Sequence, residues 1–456
     1  MDATPTRSVI PVRELIDDSR VSPFQVMVLV LCFAAALLDG FDTAAIGYIA
    51  PALREVWHLT PPQLAPAFGA GLFGLMLGSL CLGPIADRFG RKPVLLVSVL
   101  IFGVATLASA MADSLDALIV LRFVTGLGLG GAMPMCITLS SEYSPLRHRM
   151  LLVTLSWTGF TTGLALGGLV AAEILPHYGW RGVLVAGGVA PLLLLPVLAL
   201  CMPESVQFLA QDPRRAPALR RIVERITGRR DWTGVTFVGD RKDVEARFPL
   251  KALFADGMAT RTTLLWIAFF CSLLVFYLLT SWLPTVMKGN GMALPDAARV
   301  GAMVPLGGSI GAIVLALVMD RTGPTRALVF AYLCGAVAVV LIGFSVGNVA
   351  AMVVAVFVAG FGIAGAQNGI NLLAAQMYPT QARATGLSWA LGVGRAGSIV
   401  GSLMGGTLMV SAGSVQTFFG IVAVPALVAS AAMFALASPR IRPGEAARVA
   451  RPTAAT

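Results

Sequence analysis

The chain has 456 residues, of which 57% are hydrophobic and only 12% charged, with 49 glycines and a formal net charge of +10. Soluble domains carry roughly a quarter charged residues, so this is not the composition of a water-soluble protein. The basic residues are scattered over short segments between apolar stretches, which argues against a nucleic-acid surface and for topology signals and contact with anionic lipid.

Residues 1–23 mix both signs of charge and have no apolar core, so they read as a cytoplasmic tail and not as a cleaved signal. A spanning helix needs about 20 apolar residues. Twelve stretches qualify, centred in 24–48, 64–86, 93–112, 116–140, 151–175, 182–202, 262–287, 298–319, 327–346, 349–376, 385–410 and 416–437. Nothing alternates at the period of a barrel strand. The expected fold class is an all-α polytopic membrane protein with twelve transmembrane helices. Residues 24–203 form one six-helix bundle and 261–438 a second, with a polar central loop at 204–260 and a tail at 439–456. Within the loop, residues 214–226 (RRAPALRRIVERI) have amphipathic spacing. They predict a helix on the cytoplasmic face, acting as a latch or as a solvated linker.

Charge sets the orientation. Arg54, Arg181, Lys288 and Arg299 fall on one side of the predicted spans, and Arg122 and Arg395 fall inside them. Every other Lys and Arg falls on the opposite side. Positive charge stays inside, which places both termini in the cytoplasm of a bacterial-type inner membrane. Six cysteines stand singly in or beside apolar stretches and read as small buried residues. The three histidines have no metal-ligand spacing, and Trp57, Trp180 and Trp282 lie near span ends as interface anchors. No P-loop is present, so no ATP-driven pump is expected and no cofactor is called for. The energy source expected is a proton gradient.

The halves echo one another. Asp87-Arg88 recurs as Asp320-Arg321, Tyr143 as Tyr378, and Leu155-Ser156-Trp157 as Leu387-Ser388-Trp389, at offsets of 233, 235 and 232. Such a repeat implies duplicated six-helix halves about an axis along the membrane normal, with a midplane site and alternating access.

The run from Gly83 to Lys92, with Asp87, Arg88, Gly90 and Arg91, resembles the signature loop of the major facilitator superfamily. Arg122 with Gly126, Gly128 and Gly130 is similar to its helix-four motif. Pro203-Glu204-Ser205 resembles the end of the first half in sugar and organic-acid porters. Asp39-Gly40-Phe41-Asp42 followed by GYIAPAL, and the long segment 365–401, resemble the aromatic acid:proton symporter family. That resemblance implies a monomeric importer of a small aromatic carboxylate together with protons. A non-aromatic organic acid, a sugar acid or a sensing role remain as alternatives. Leu164 stands where drug antiporters place a proline, which counts against export.

Asp39 and Asp42 are three residues apart on one helical face inside an apolar span, where burial and a like charge favour protonation. They are candidates for the coupling proton, or for pairing with an arginine. Glu142, closing the fourth span, joins them as a coupling candidate. Arg122 and Arg395 can grip a carboxylate in bidentate fashion. For Arg122 the other reading is an ion pair with an acid on helix one, a pairing that protonation would break. Gln367, Asn368 and Asn371 share a face, either for a substrate hydroxyl or for another helix. Phe41, Trp157, Phe160, Tyr277 and Trp389 either stack on a ring or pack the core. Asp87, Arg88, Arg91, Asp320, Arg321 and Arg383 form an expected cytoplasmic gate network.

Overall fold

The structure is a computed structural model and describes residues 9–229, 232, 235–239, 253–254, 258–378 and 382–438. The chain divides into two compact units, one of Met1–Asp243 with Ala293–Ala302, the other of Val244–Met292 with Met303–Thr456.

In the first unit the long helices are α2 (Pro23–Trp57), α3 (Pro61–Phe89), α4 (Arg91–Ser109), α5 (Leu115–Tyr143) and α6 (Arg149–Cys201), preceded by the short α1 (Val12–Asp18). Ser22 and Gln25 form a reciprocal capping box that starts α2, and Thr60 and Gln63 do the same for α3. Helix α6 is two spans in one. Gly179, at φ +64°, breaks the helical path near its middle, a conformation that glycine adopts without a Cβ penalty.

The second unit holds α9 (Met258–Gly289), α11 (Pro324–Phe344), α12 (Val349–Met377), α13 (Arg383–Ser411) and α14 (Val415–Ala437). Helix α10 (Leu294–Thr322) contributes its start to the first unit and the rest to the second. Among the described residues, ten helical stretches are long and apolar enough to cross a membrane. Counting α6 as two spans and adding the 29-residue α13, interrupted by Arg395, gives the expected twelve.

The repeat is visible in the packing. Helix α2 lies on the first half of α6 as α9 lies on α13, and α4 lies on α5 as α11 lies on α12. Small residues make these contacts possible. A Cβ on Gly163 would stand 1.9 Å from the Leu37 carbonyl oxygen, and one on Gly40 would stand 2.0 Å from that of Phe160. Gly397 has the same relation to Phe270 in the second unit. Lipid supplies no hydrophobic drive between helices, so close backbone approach through glycine and interhelical hydrogen bonds together hold such a bundle.

After the short α7 (Val206–Ala210), helix α8 (Ala216–Thr227) forms within the polar central segment and buries Leu219, Ile222, Val223 and Ile226. That apolar stripe joins a core cluster with Val12 and Ile16 of α1, so this stretch is docked on the first unit and is not a solvated linker. A parallel pair of three-residue strands, β1 (Val9–Pro11) and β2 (Thr236–Val238), accompanies it. The all-helical expectation omitted these strands, because three residues are too few to leave a sequence period. Trp282 also departs from expectation. It is fully buried and donates its indole N–H to the Ser402 carbonyl at 2.8 Å, so it locks α9 to α13 and does not anchor an interface.

Candidate functional site

The centre of the first unit is a buried charge pair. Asp42 on α2 and Arg122 on α5 form an ion pair, with side chains 0% and 3% exposed. The Thr106 hydroxyl on α4 donates to the second Asp42 oxygen at 2.6 Å. Three helices thus converge on one carboxylate. Gly40 and Gly163 let α2 and α6 close to backbone contact, which fixes the turn of α2 that carries Asp42. The Arg122 Nη1 is buried with no partner among the described residues, so only part of the guanidinium is committed.

A carboxylate at the centre of an apolar span costs roughly 2.5–3.5 kcal/mol on insertion scales. The arginine and threonine offset that cost for the ionised state. Each group compensates the other, so removing either charge would leave its partner buried and unpaired. Asp39, one turn earlier, is equally buried and accepts a 3.4 Å bond from the Thr43 hydroxyl.

Phe41 and Phe160 are buried, and the Phe41 ring packs beside Gly187 and Thr106. Trp157 lies 6.0 Å from Phe160, centroid to centroid, and faces a shallow apolar hollow with Ala36, Met133, Cys136 and Ser156.

Glu142 sits at the far end of α5 and accepts from the Ser205 hydroxyl at 2.5 Å and from the Gln207 amide at 3.3 Å. Beside it, Glu204 accepts from the backbone amides of Arg91 at 2.8 Å and Lys92 at 3.2 Å. A carboxylate there satisfies orphan donors at the start of α4 and complements its dipole. Gly90 accounts for the glycine in that loop. Its φ is +104°, and a Cβ would meet the Glu204 carboxylate at 2.3 Å. Asp87 pairs with Arg91 at 2.8 Å, while Arg88 lies over the Phe89 ring at 5.4 Å.

In the second unit Arg395 on α13 donates to the Tyr277 hydroxyl on α9 at 3.3 Å. Gln367 on α12 accepts at Oε1 from the Ser272 hydroxyl on α9 at 3.0 Å. Asn371 is half-buried, and its Oδ1 has no partner among the described residues. Asn368 is exposed, as are Asp320, Arg321 and Arg383. Trp389 is 46% exposed and stacks on Trp266 at 6.2 Å. Thr106, Glu204 and Ser272 were absent from the sequence-derived site. Glu204 carried a signal in its Pro-Glu-Ser triplet, but a lone Thr or Ser in an apolar span carries none.

The Major Facilitator Superfamily family model matches residues 32–348 and again 265–455. The chain belongs to the Major Facilitator Superfamily of membrane transporters and is not an enzyme. A gallate transporter of Pseudomonas putida is 40% identical over 96% of this chain and 97% of its own length. The 4-hydroxybenzoate transporter PcaK of the same organism is 43% identical over 92% and 94%. The 3-(3-hydroxy-phenyl)propionate transporter of Escherichia coli is 36% identical over 90% and 94%. Among solved structures, a bacterial homolog of the human lysosomal transporter Spinster superposes with a TM-score of 0.72 at 17% identity, covering 91% of this chain and 97% of that one. A D-xylose-proton symporter superposes with a TM-score of 0.69 at 18% identity, covering 92% and 99%. These last two carry the fold alone.

Proposed function

We propose that this protein imports a small aromatic carboxylate together with protons across the inner membrane by alternating access, with both termini in the cytoplasm. The observation that carries the reading is the buried Asp42–Arg122 pair with Thr106. The names of the relatives support the substrate class.

The steps follow from charge balance. A proton entering from outside adds to the Asp42 carboxylate and gives the neutral acid. The ion pair breaks, and the Arg122 guanidinium becomes available to the incoming carboxylate. Arg395, which donates to Tyr277, is a further cationic group able to hold a carboxylate in this scheme. When the substrate leaves on the cytoplasmic side, Arg122 pairs again with Asp42 and expels the proton. Asp39 and Glu142 are further proton-accepting groups in this scheme. The charges at Asp87, Arg88, Arg91, Asp320, Arg321 and Arg383 stabilise one of the alternating states.

The test is uptake of labelled 4-hydroxybenzoate in expressing cells, with and without a protonophore, against unlabelled acids as competitors. Protonophore-sensitive uptake competed by aromatic acids is expected. Absence of uptake and of competition, with the protein at the cell surface, rejects the aromatic-acid reading.

A further inference from the structure

Helix α12 carries two amides one turn apart, and the structure leaves them with opposite hydrogen-bonding characters. Ser272 has a single hydroxyl hydrogen, which it gives to Gln367 Oε1 at 3.0 Å. The buried Tyr332 hydroxyl lies beside Ser272 and can donate to its oxygen, which leaves the Ser272 hydrogen with Gln367. That bond fixes which way the amide faces, with its oxygen toward Ser272 and its N–H donors turned the other way. Asn371, four residues on, has a buried Oδ1 that accepts from nothing among the described residues. Positions four apart share a helix face, with Cβ atoms about 5–6 Å apart. A hydroxyl oxygen can accept from one of the two amides and donate to the other.

We infer that Gln367 and Asn371, with Ser272 as the positioning residue, form a reader for a hydroxyl group on the transported acid. The substrate oxygen accepts from Gln367 Nε2 and passes its own hydrogen to Asn371 Oδ1. A carboxylate cannot do both, because it only accepts. A bare ring does neither and leaves both amides without partners. The preferred substrate class is therefore the hydroxylated aromatic acids over their unhydroxylated counterparts. Ser272 acts through Gln367. Without its hydroxyl, the amide is free to turn over and present its oxygen, so the reader loses its polarity.

This inference rests on the aromatic-acid transport proposed above, and the experiment separates the two. Half-saturation is measured for labelled 4-hydroxybenzoate and labelled benzoate in cells expressing the full chain, then in Ser272→Ala, Ser272→Thr and Asn371→Ala. Half-saturation does not depend on how much protein reaches the surface. A site built to bond a hydroxyl rejects the analogue that lacks it. The wild type should therefore prefer 4-hydroxybenzoate. Ser272→Ala should raise half-saturation for that acid by roughly tenfold while benzoate stays within about twofold. Ser272→Thr, which keeps the hydroxyl, should keep the preference. If Ser272→Ala yields no surface protein, Asn371→Ala decides with the same ratio. Uptake without preference, or equal shifts for both acids, overturns the reader and leaves the transport proposal standing. No uptake of either acid by the wild type overturns both.

Discussion

At Asp42 and Arg122 two buried groups of opposite charge depend on one another. Removing one partner of such a pair strands the other and costs about 3–5 kcal/mol, whereas removing both costs less. Asp42→Ala and Arg122→Ala should each lower the thermal midpoint of the purified protein in detergent, and the double variant should recover part of the loss. Simple additivity of the two losses would show that the pair is not an energetic unit. Asp42→Asn keeps the shape and the Thr106 contact but removes the titrating group. It should abolish accumulation against a gradient while leaving protein at the membrane, and normal accumulation would remove Asp42 from coupling. Arg395→Lys keeps the charge and loses the planar fork. Half-saturation for the acids should rise, and an unchanged value would place the anion anchor elsewhere. At this scale the sequence was partly legible. A charge inside an apolar span announces itself, so both members of the pair were visible, and their pairing stood among the readings. Thr106 was not visible, because its bond to Asp42 joins residues 64 apart on different helices.

Among the elements, α2 and α6 are joined by backbone contact at glycines. Gly163→Val puts branched carbon where the Leu37 carbonyl already lies, so the helices must separate by ångströms. The expected outcome is little or no folded protein, read by size-exclusion chromatography of the solubilised membrane. An unchanged monodisperse peak would contradict the close contact. Helix α8 is held on the first unit by its apolar stripe. Ile222→Asp forfeits about 1.5–3 kcal/mol of burial and adds a charge to a packed face. Limited trypsinolysis should then cut sooner at Arg220, Arg221 and Arg225, and an unchanged cleavage rate would show that the stripe does not hold the helix. The spacing of Leu219, Ile222, Val223 and Ile226 predicted this helix without help. What the helix packs against was not in the spacing, because α1 lies some 200 residues earlier in the chain.

For the whole molecule, the distribution of Lys and Arg predicts cytoplasmic termini. Green fluorescent protein fused to either end should fluoresce and periplasmic alkaline phosphatase should stay inactive, and the reverse at either end would break the even-span topology. The sequence by itself determined the membrane class, the spans and the repeat, because length and hydropathy are local sums and duplication leaves nearly constant offsets. It also exposed the buried charges, since a bilayer makes them costly. The tertiary structure decided which polar atoms meet: Asp42 with Thr106, Glu204 with the start of α4, and Ser272 with Gln367. Those pairings depend on how helices distant in sequence turn toward one another. Glycine contacts set that turn, and no local pattern records it.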